Sequence, residues 1–446
     1  MAARLIENLA TTPQYAAIFA DEPLLQAMLD FEAALARAEA SVGVIPSTAA
    51  ETISNAARAG DFDAEQLAEQ GLRAGTLAIP LVKALTNHVR AADPSSARFV
   101  HWGATSQDVS DTAMVLLLRR AWSLLEADHA RLQKSLRRAS DQHADTVMLG
   151  RTLLQPAPPI TFGLKIAGWF GAIRRGWTRL DAAFRDAMVL EFGGASGTLA
   201  ALGDRAVPVA QALAKELDLA LPEAPWHTQR DRLAAVVCAC GIYTGSVAKM
   251  AKDVSLLMQG EVGEAFEPVG DERGGSSTMP HKRNPIACSL ALAAGERIPG
   301  LAASYLFGMA QEHERAVGGW HAESATIAQV IQNTGLAASS MAEAAAGLEV
   351  DAPRMRENIE KTCGVIFAER AMILLGASLG RDVAYKLLED AVKQSMQEKK
   401  KLTEVLAAIP QVTNILSTSQ IQSLDDPKNY LGAAEVFRRR LLITDD

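Results

Sequence analysis

The residues best suited to chemistry lie in the run GGSSTMPHKRNP at positions 274–285, where a serine pair precedes a cationic turn. The glycines at its start give the backbone enough freedom to act as a hinge. Pro280 and Pro285 restrict the backbone on both sides of Lys282, so we expect that ammonium group on a stiff turn. The pair Asn284-Pro285 predicts a helix N-cap followed by the first helical residue.

The helix expected from Ile286 onward would present its N-terminal end beside Lys282 and Arg283. Unpaired N–H groups and the helix dipole make such an end a favourable place for a carboxylate or a phosphate. A simpler interpretation is a loop followed by a capped helix, which accounts for Asn284 and Pro285. It does not account for the serine pair, the glycines and the two cations occurring together.

This run resembles the signature loop of the fumarase/aspartase superfamily, which includes the adenylosuccinate and argininosuccinate lyases. The loop is a highly specific pattern, and the resemblance extends along nearly the whole chain. It implies that Ser276, the first serine of the pair, is the catalytic base. It also implies that Lys282 and Asn284 hold a carboxylate of the substrate.

A second candidate segment is HWGATSQDVSDT at positions 101–112, directly before a long predicted helix. Hydroxyl and backbone N–H groups at a helix start can bind a carboxylate. The segment resembles the first conserved region of the superfamily, which implies that Thr105 and Ser106 bind substrate. His101 then lies near the reacting centre and is the alternative to Ser276 as proton carrier. The plainer interpretation is a capping segment with a packed histidine.

The segment GRTLLQPA at positions 150–157 resembles the second conserved region, and Gln155 is its candidate for substrate binding. Leu153 stands where many relatives have a histidine that transfers a proton to the leaving group. An amine or an alkoxide needs that proton, whereas a carboxylate, with a pKa of about 4, leaves without it. The leucine therefore favours a reaction that expels a carboxylate or, in reverse, adds one.

Two arginines outside these segments, Arg230 and Arg315, are candidates for bidentate clamps on substrate carboxylates. Ion pairs within the protein are the alternative for both. The histidines at 313 and 321 do not have the HExxH spacing, so we expect no metal. The run GGASGT at 193–198 lacks a P-loop lysine and predicts a tight turn near the active site.

The function implied by the resemblance is that of the cycloisomerase branch of the superfamily. That branch closes 3-carboxy-cis,cis-muconate, a small polycarboxylate, to a lactone without a cofactor. One alternative is elimination of the adenylosuccinate lyase type, which releases fumarate and which Leu153 disfavours. Another is a non-catalytic structural relative, against which the intact Ser276, Lys282 and Asn284 argue.

Long runs without proline predict an all-α fold that positions these segments. Apolar residues recur with i, i+3, i+4 spacing through 113–143, as in an amphipathic helix. The prolines at 156, 158 and 159 are interpreted as an interruption between helices, and no alternation requires a sheet. Further helices are expected at 24–42, 160–189, 230–264, 286 onward and 324–348.

The expected organisation is an N-terminal helical domain at 1–112, a central long-helix bundle at 113–350 and a C-terminal helical domain at 351–446. Alanine-rich helix faces allow close packing against further copies of the chain. The superfamily resemblance implies a homotetramer whose active sites are each built from three subunits.

Composition excludes several other classes of protein. The 446 residues carry a net charge of −8, which argues against binding to nucleic acid. The four cysteines form no CxxC pair and predict reduced thiols, as in the cytoplasm. The N-terminus has no apolar stretch typical of a signal peptide, and the longest uncharged runs contain proline or polar residues. We therefore expect a cytoplasmic protein without a membrane partner.

Overall fold

The computed structural model describes residues 5–269, 279 and 282–443. Ser276 lies outside these residues, so its assignment stays a prediction. The prediction of an all-α fold is confirmed. The α-helices are α1 Pro13–Ile18, α2 Asp21–Ser41, α3 Ser47–Ala56, α4 Ala64–Ala74, α5 Ala78–Ala92, α6 Ser106–Gln142, α7 Phe162–Ala187, α8 Ala206–Leu217, α9 Asp231–Leu257, α10 Ile286–Gly308, α11 Gly319–Ala346, α12 Ala352–Glu360, α13 Ala368–Leu379, α14 Arg381–Glu398, α15 Leu402–Ala407, α16 Pro410–Thr413, α17 Thr418–Gln422 and α18 Ala434–Leu442.

The longest helix, α6, has 37 residues and begins at Ser106, earlier than the expected start at Ala113. The early start has a local cause. Asp108 lies in the first turn, and its Oδ2 accepts a 2.9 Å hydrogen bond from the backbone N–H of Thr105. A carboxylate that reaches back in this way stabilises a helix N-terminus, both by the hydrogen bond and by the helix dipole. The candidate Ser106 is therefore the first residue of the helix rather than part of a preceding loop.

Two short sheets correct the expectation that no strands would be needed. The proline-containing segment forms an antiparallel hairpin of β1 Val147–Thr152 and β2 Gln155–Thr161. Proline lacks an N–H donor and is tolerated where only two strands pair. The tip residues Leu153 and Leu154 have left-handed φ values of 49° and 67°, as a tight two-residue hairpin turn requires. The second sheet pairs β3 Ala265–Phe266 with β4 Glu349–Val350.

Contacts between Cα atoms divide the chain into two compact units. The first unit combines Met1–Ala130, Arg175–Ala248 and Leu290–Ser340. Its interior includes aromatic pairs such as Trp122 stacked on Phe184. The second unit combines Arg131–Arg174, Lys249–Ser289 and Met341–Asp446. Both units are assembled from separated stretches, and the division at residues 112 and 350 stays a prediction.

The second unit contains two separate apolar clusters among its described residues. One packs α13, α14 and the short helices that follow them, through buried residues such as Leu375, Leu388 and Leu406. The other joins the hairpin to the chain around α12, since Val147 and Leu149 pack with Ile359, Ile366 and Phe367. The hairpin is thus anchored at its base, and its Leu153-Leu154 tip lies away from this core.

Two helices, α9 and α10, are long and apolar enough to cross a membrane by length and composition alone, and a bent pair, α12 with 365–379, would be a third. Within the chain, 56% of the apolar window of α9 is buried but only 28% of that of α10. The expectation of no membrane helix therefore stays a prediction. Most of the apolar window of α10 is therefore left uncovered by the single chain.

Candidate active site

Three of the predicted substrate-binding residues lie together in the first unit. Arg315, in the segment between α10 and α11, donates from Nη1 to Oγ1 of Thr105 at 2.6 Å. Its Nη2 donates to Oγ of Ser106 at 2.9 Å. Thr105 and Ser106 form the start of α6, and all three side chains are half-buried. The cluster presents a guanidinium and two hydroxyls at a helix N-terminus, a combination suited to binding a carboxylate.

His101 lies four residues before Thr105. Its backbone is left-handed, with a φ of 60°. Its Nδ1 lies 2.6 Å from Oε1 of Glu32 on α2, and Glu32 is 1% exposed. Burial lowers the pKa of His101, but the charge and hydrogen bond of Glu32 and the charge of Asp108 raise it, and the net pKa lies above its usual value. Sequence reasoning did not find Glu32, because nothing local links it to a histidine in a distant part of the chain.

A buried hydrogen-bond network around Asp108 holds the segment from His101 to Thr105 in place. Asp108 accepts hydrogen bonds from the backbone N–H groups of Gly193 and Gly194 at 2.9 and 3.0 Å. Gly194 has a φ of +66°, and a Cβ there would come within 2.9 Å of the carbonyl of Gly103. The glycines therefore allow the turn at 193–198 to pack closely against the candidate site, as the sequence predicted.

His227 and Glu191 belong to the same network, and their side chains are possible metal ligands. With Asp108 they form the one group of possible ligands found among the described residues, all three buried. Nε2 of His227 is 2.7 Å from Oδ1 of Asp108, an oxygen that already accepts a backbone N–H. Burial and the nearby acids hold the pKa of Glu191 well above its usual range. Hydrogen bonds inside the chain hold this cluster together, including one from the backbone N–H of Trp226 to Glu191, while Oε1 of Glu191 and Nδ1 of His227 are buried without a hydrogen-bond partner among the described residues.

Arg230, predicted to clamp a substrate carboxylate, is 2% exposed and paired with the protein's own acids. Its guanidinium donates to Asp111 at 2.7 Å and to Glu323 at 2.6 Å. The same group lies 4.7 Å above the ring of Trp226. With two carboxylates already bound, Arg230 is better suited to holding α6, α9 and α11 together than to contacting substrate, and its predicted role stays untested.

The N-terminus of α10, in the second unit, begins at Ile286 as predicted. Two backbone N–H groups of its first turn, however, already donate hydrogen bonds to a carboxylate of the chain itself. The buried Glu267 accepts from Cys288 N at 2.6 Å and from Ala287 N at 2.9 Å. The helix end expected to bind a substrate anion is therefore capped by the chain's own carboxylate, which sequence reasoning missed.

The two cations beside this helix end differ in their surroundings. Arg283 donates to Glu349 at 2.9 Å and to the carbonyl of Glu267 at 2.6 Å, so it links β3 and β4 to the turn. Lys282 is exposed, and within residues 5–269, 279 and 282–443 its ammonium has no ion pair. Asn284 is half-buried in the same turn. Of the two cations, Lys282 is therefore the one available to an anionic substrate.

The hairpin of the second unit carries the remaining candidates. Gln155 is exposed at the start of β2, opposite Thr152. Leu153 at the tip is 96% exposed. Arg151 is bound to the buried Glu264 through two hydrogen bonds of 2.7 and 2.8 Å, which stiffens β1. Gln155 borders a cavity of about 830 Å³ in this unit.

Comparisons with known proteins show which family the chain belongs to. Residues 7–300 match a family model described as lyase, and residues 364–441 match one described as adenylosuccinate lyase C-terminus. The chain is 51% identical to the 3-carboxy-cis,cis-muconate cycloisomerase of Bradyrhizobium diazoefficiens, over 95% of this chain and 94% of that protein. It is 50% identical to the enzyme of that name from Pseudomonas aeruginosa, over 96% and 93%.

A solved structure is similar over almost the whole chain. The 3-carboxy-cis,cis-muconate lactonizing enzyme from Pseudomonas putida superposes with a TM-score of 0.93 and 46% identity. The similarity covers 98% of each chain.

Proposed function

Since the chain belongs to the fumarase/aspartase superfamily of lyases, we propose that it is a cofactor-free cycloisomerase acting on 3-carboxy-cis,cis-muconate. The observation that carries this proposal is the identity of 50% or more with two cycloisomerases along nearly their full length. The product is a carboxymuconolactone, as expected for a protein of the protocatechuate branch of aromatic catabolism in the cytoplasm.

The reaction needs two groups from the protein. One carboxylate oxygen of the substrate attacks the double bond and forms the new C–O bond. The displaced electron pair moves onto a conjugated carboxylate as an enediolate, and the neighbouring carbon then takes a proton. Lys282, exposed and unpaired among the described residues, is suited to stabilise the enediolate. Ser276 or His101 supplies the proton, so each turnover removes one proton from solution.

The substrate is a trianion, and the cluster of Arg315, Thr105 and Ser106 is suited to one of its carboxylates. The two hydroxyls that now accept from Arg315 can rotate and donate to an anion. Arg315 then remains beside the bound carboxylate as its counter-charge. This binding lowers the entropy cost of bringing the attacking carboxylate to the double bond.

Leu153 fits this chemistry because the group that enters or leaves is a carboxylate, which needs no general acid. In its own chain Leu153 is 96% exposed and has little to pack against. We therefore infer that the hairpin tip is covered by another copy in a homotetramer. The apolar window of α10, only 28% buried in the single chain, supports further subunit contacts.

Elimination of the adenylosuccinate lyase type is the second candidate, favoured by the match of residues 364–441 to that enzyme's C-terminal model. It would expel an amine, which leaves poorly without a proton. Leu153 cannot provide one, so this candidate requires a general acid elsewhere.

The proposal is tested by incubating the purified protein with 3-carboxymuconate. Diene absorbance should fall, the product should be a carboxymuconolactone by NMR, and one proton should be consumed per lactone in weakly buffered solution. Adenylosuccinate and argininosuccinate serve as controls and should release no fumarate. Fumarate release without lactonisation would replace this proposal by the elimination.

A further inference from the structure

His101 is held by a carboxylate from a different part of the first unit. Its Nδ1 and Oε1 of Glu32 are 2.6 Å apart, and Glu32 is almost completely buried on α2. A carboxylate accepts, so Nδ1 carries a proton that it donates to Glu32. The other ring nitrogen, Nε2, has no hydrogen-bond partner among the described residues, and the side chain is 18% exposed. The imidazole is therefore anchored through Nδ1, and its side chain remains partly exposed.

The backbone around His101 adds to this orientation. His101 adopts a left-handed φ of 60° and Gly103 one of 76°, which makes a tight connection into α6. Four residues after His101, the chain reaches Thr105 and its hydrogen bond with Arg315. Two members of the proposed carboxylate-binding cluster, Thr105 and Ser106, thus belong to the same short segment as His101.

The charges around His101 favour the imidazolium. Glu32 faces it from α2, and Asp108 faces it from α6. Asp108 is itself bonded to His227, which lies just before α9. The remaining acid on this face of α2, Glu39, is fully buried, and burial together with the charge of Glu32 raises its pKa to about 9. Glu39 is therefore neutral near pH 7, and the carboxyl group of Glu32 is the one that contacts His101 from α2.

We propose that Glu32 is a positioning residue, which keeps His101 protonated and directs its Nε2–H toward the bound substrate. This inference rests on the proposed function, because the substrate is taken to be a polycarboxylate bound beside Thr105. The imidazolium adds a positive charge to the site without being free to rotate. No bond to Glu32 forms or breaks during the reaction, so its effect is exerted entirely through His101.

The first experiment measures kcat/KM against pH for wild type, Glu32→Gln and Glu32→Asp. In wild type, activity should fall at alkaline pH as His101 loses its proton. In Glu32→Gln the alkaline limb should move to lower pH by about one unit or more, because the neutral amide no longer stabilises the imidazolium. Glu32→Asp keeps the charge and should restore much of the wild-type profile.

Two controls separate this role from a structural one. Glu39→Gln changes an equally buried glutamate on the same helix, already neutral, and should leave the alkaline limb in place. The His101→Gln variant should lack this limb, and adding Glu32→Gln to it should leave the pH profile unchanged. An unchanged limb in Glu32→Gln, or an equal shift in the Glu39→Gln control, would overturn the proposal.

The second experiment follows His101 directly by NMR of histidine-labelled protein, with His101→Gln used to assign its signal. The expected result is a pKa above that of an ordinary histidine and a protonated Nδ1, both lost in Glu32→Gln. The wild-type titration needs no substrate, and it can be carried out even if the Glu32 variants do not fold. A wild-type His101 that titrates below the ordinary range would overturn the proposal, whereas absence of lactonisation alone would overturn only the proposed function.

Discussion

Arg315 donates a 2.6 Å hydrogen bond to the hydroxyl of Thr105, although 210 positions separate them in the chain. The contact brings together two residues that had each been predicted to bind substrate on separate grounds. It also means that neither acts alone, because removing one changes the surroundings of the other.

We expect Arg315→Met and Thr105→Val each to raise KM for 3-carboxymuconate more than they lower kcat, since both remove binding of a carboxylate that does not react. The double variant should lose less transition-state stabilisation than the sum of the losses in the two single variants, with a coupling energy of about 0.5–3 kcal/mol. Steady-state kinetics of the four proteins measure this. Strictly additive effects would show that the two side chains act independently.

Ser276→Ala should reduce kcat by about 10²–10⁴-fold while leaving the helical circular dichroism spectrum unchanged, since loss of a proton-transfer group has that typical cost. The prediction rests on the resemblance of the loop, because Ser276 is outside the described residues. Near-normal kcat in this variant would make His101 the better candidate for the proton carrier.

Lys282→Met should lower kcat at least as much as it raises KM. The ammonium is exposed on a proline-bounded turn, where it can meet the developing enediolate charge without reorganisation. The neighbouring Arg283 provides a contrast, since it is already paired with Glu349. An effect of Lys282→Met confined to KM would indicate uniform binding of the substrate rather than stabilisation of the transition state.

Leu153→His should not accelerate lactonisation, and admission of water to the site should slow it. The thermal stability of the isolated chain should change little, since the side chain is almost fully exposed there. Assays with 3-carboxymuconate and with adenylosuccinate are the measurement. A faster lactonisation in the variant would mean that the reaction does use a general acid at this position.

Glu39 makes stability depend on pH. In the unfolded chain its pKa is near 4.5, whereas in the folded protein burial and the charge of Glu32 raise it to about 9. Between these values the folded state binds the extra proton, so this contribution to stability is complete below pH 4.5 and is lost as pH rises toward 9. The loss is on the order of 1 kcal/mol per pH unit.

Glu39→Gln cannot ionise and should therefore gain stability relative to wild type as pH rises from 5 to 8. Urea unfolding of both proteins at several pH values measures the difference in free energy of unfolding. Parallel stability curves for wild type and variant would contradict the prediction.

The sequence was most informative where local pattern decides structure. The start of α10 at Ile286 and the course of α6 follow from proline placement and helical periodicity. The hairpin was missed because a proline cluster can end a helix or fill a two-stranded ribbon. A Leu-Leu tip with left-handed backbone gives no turn signal, since glycine or asparagine normally occupies such positions.

Long-range partners could not be predicted from one sequence. Glu267 caps α10 from about 20 residues away, and Glu32 reaches His101 across 69. In each case the acid lies among apolar residues and has the appearance of an ordinary helix or loop residue. Only the folded chain shows that Arg230 and Arg283 are already paired with acids, whereas Lys282 has no ion pair among the residues that the structure describes.

The exposed hairpin tip bears on how enzymes of this superfamily diversify. Because Leu153 is 96% exposed and contributes almost nothing to the interior of its own chain, mutation there costs the fold of the single chain little, and its effects fall on the chemistry and on contacts with other copies. A single codon change can therefore add or withdraw a general acid with little effect on the interior of the chain. A library of all side chains at position 153, screened against a panel of carboxylate substrates, would show which reactions this position can admit.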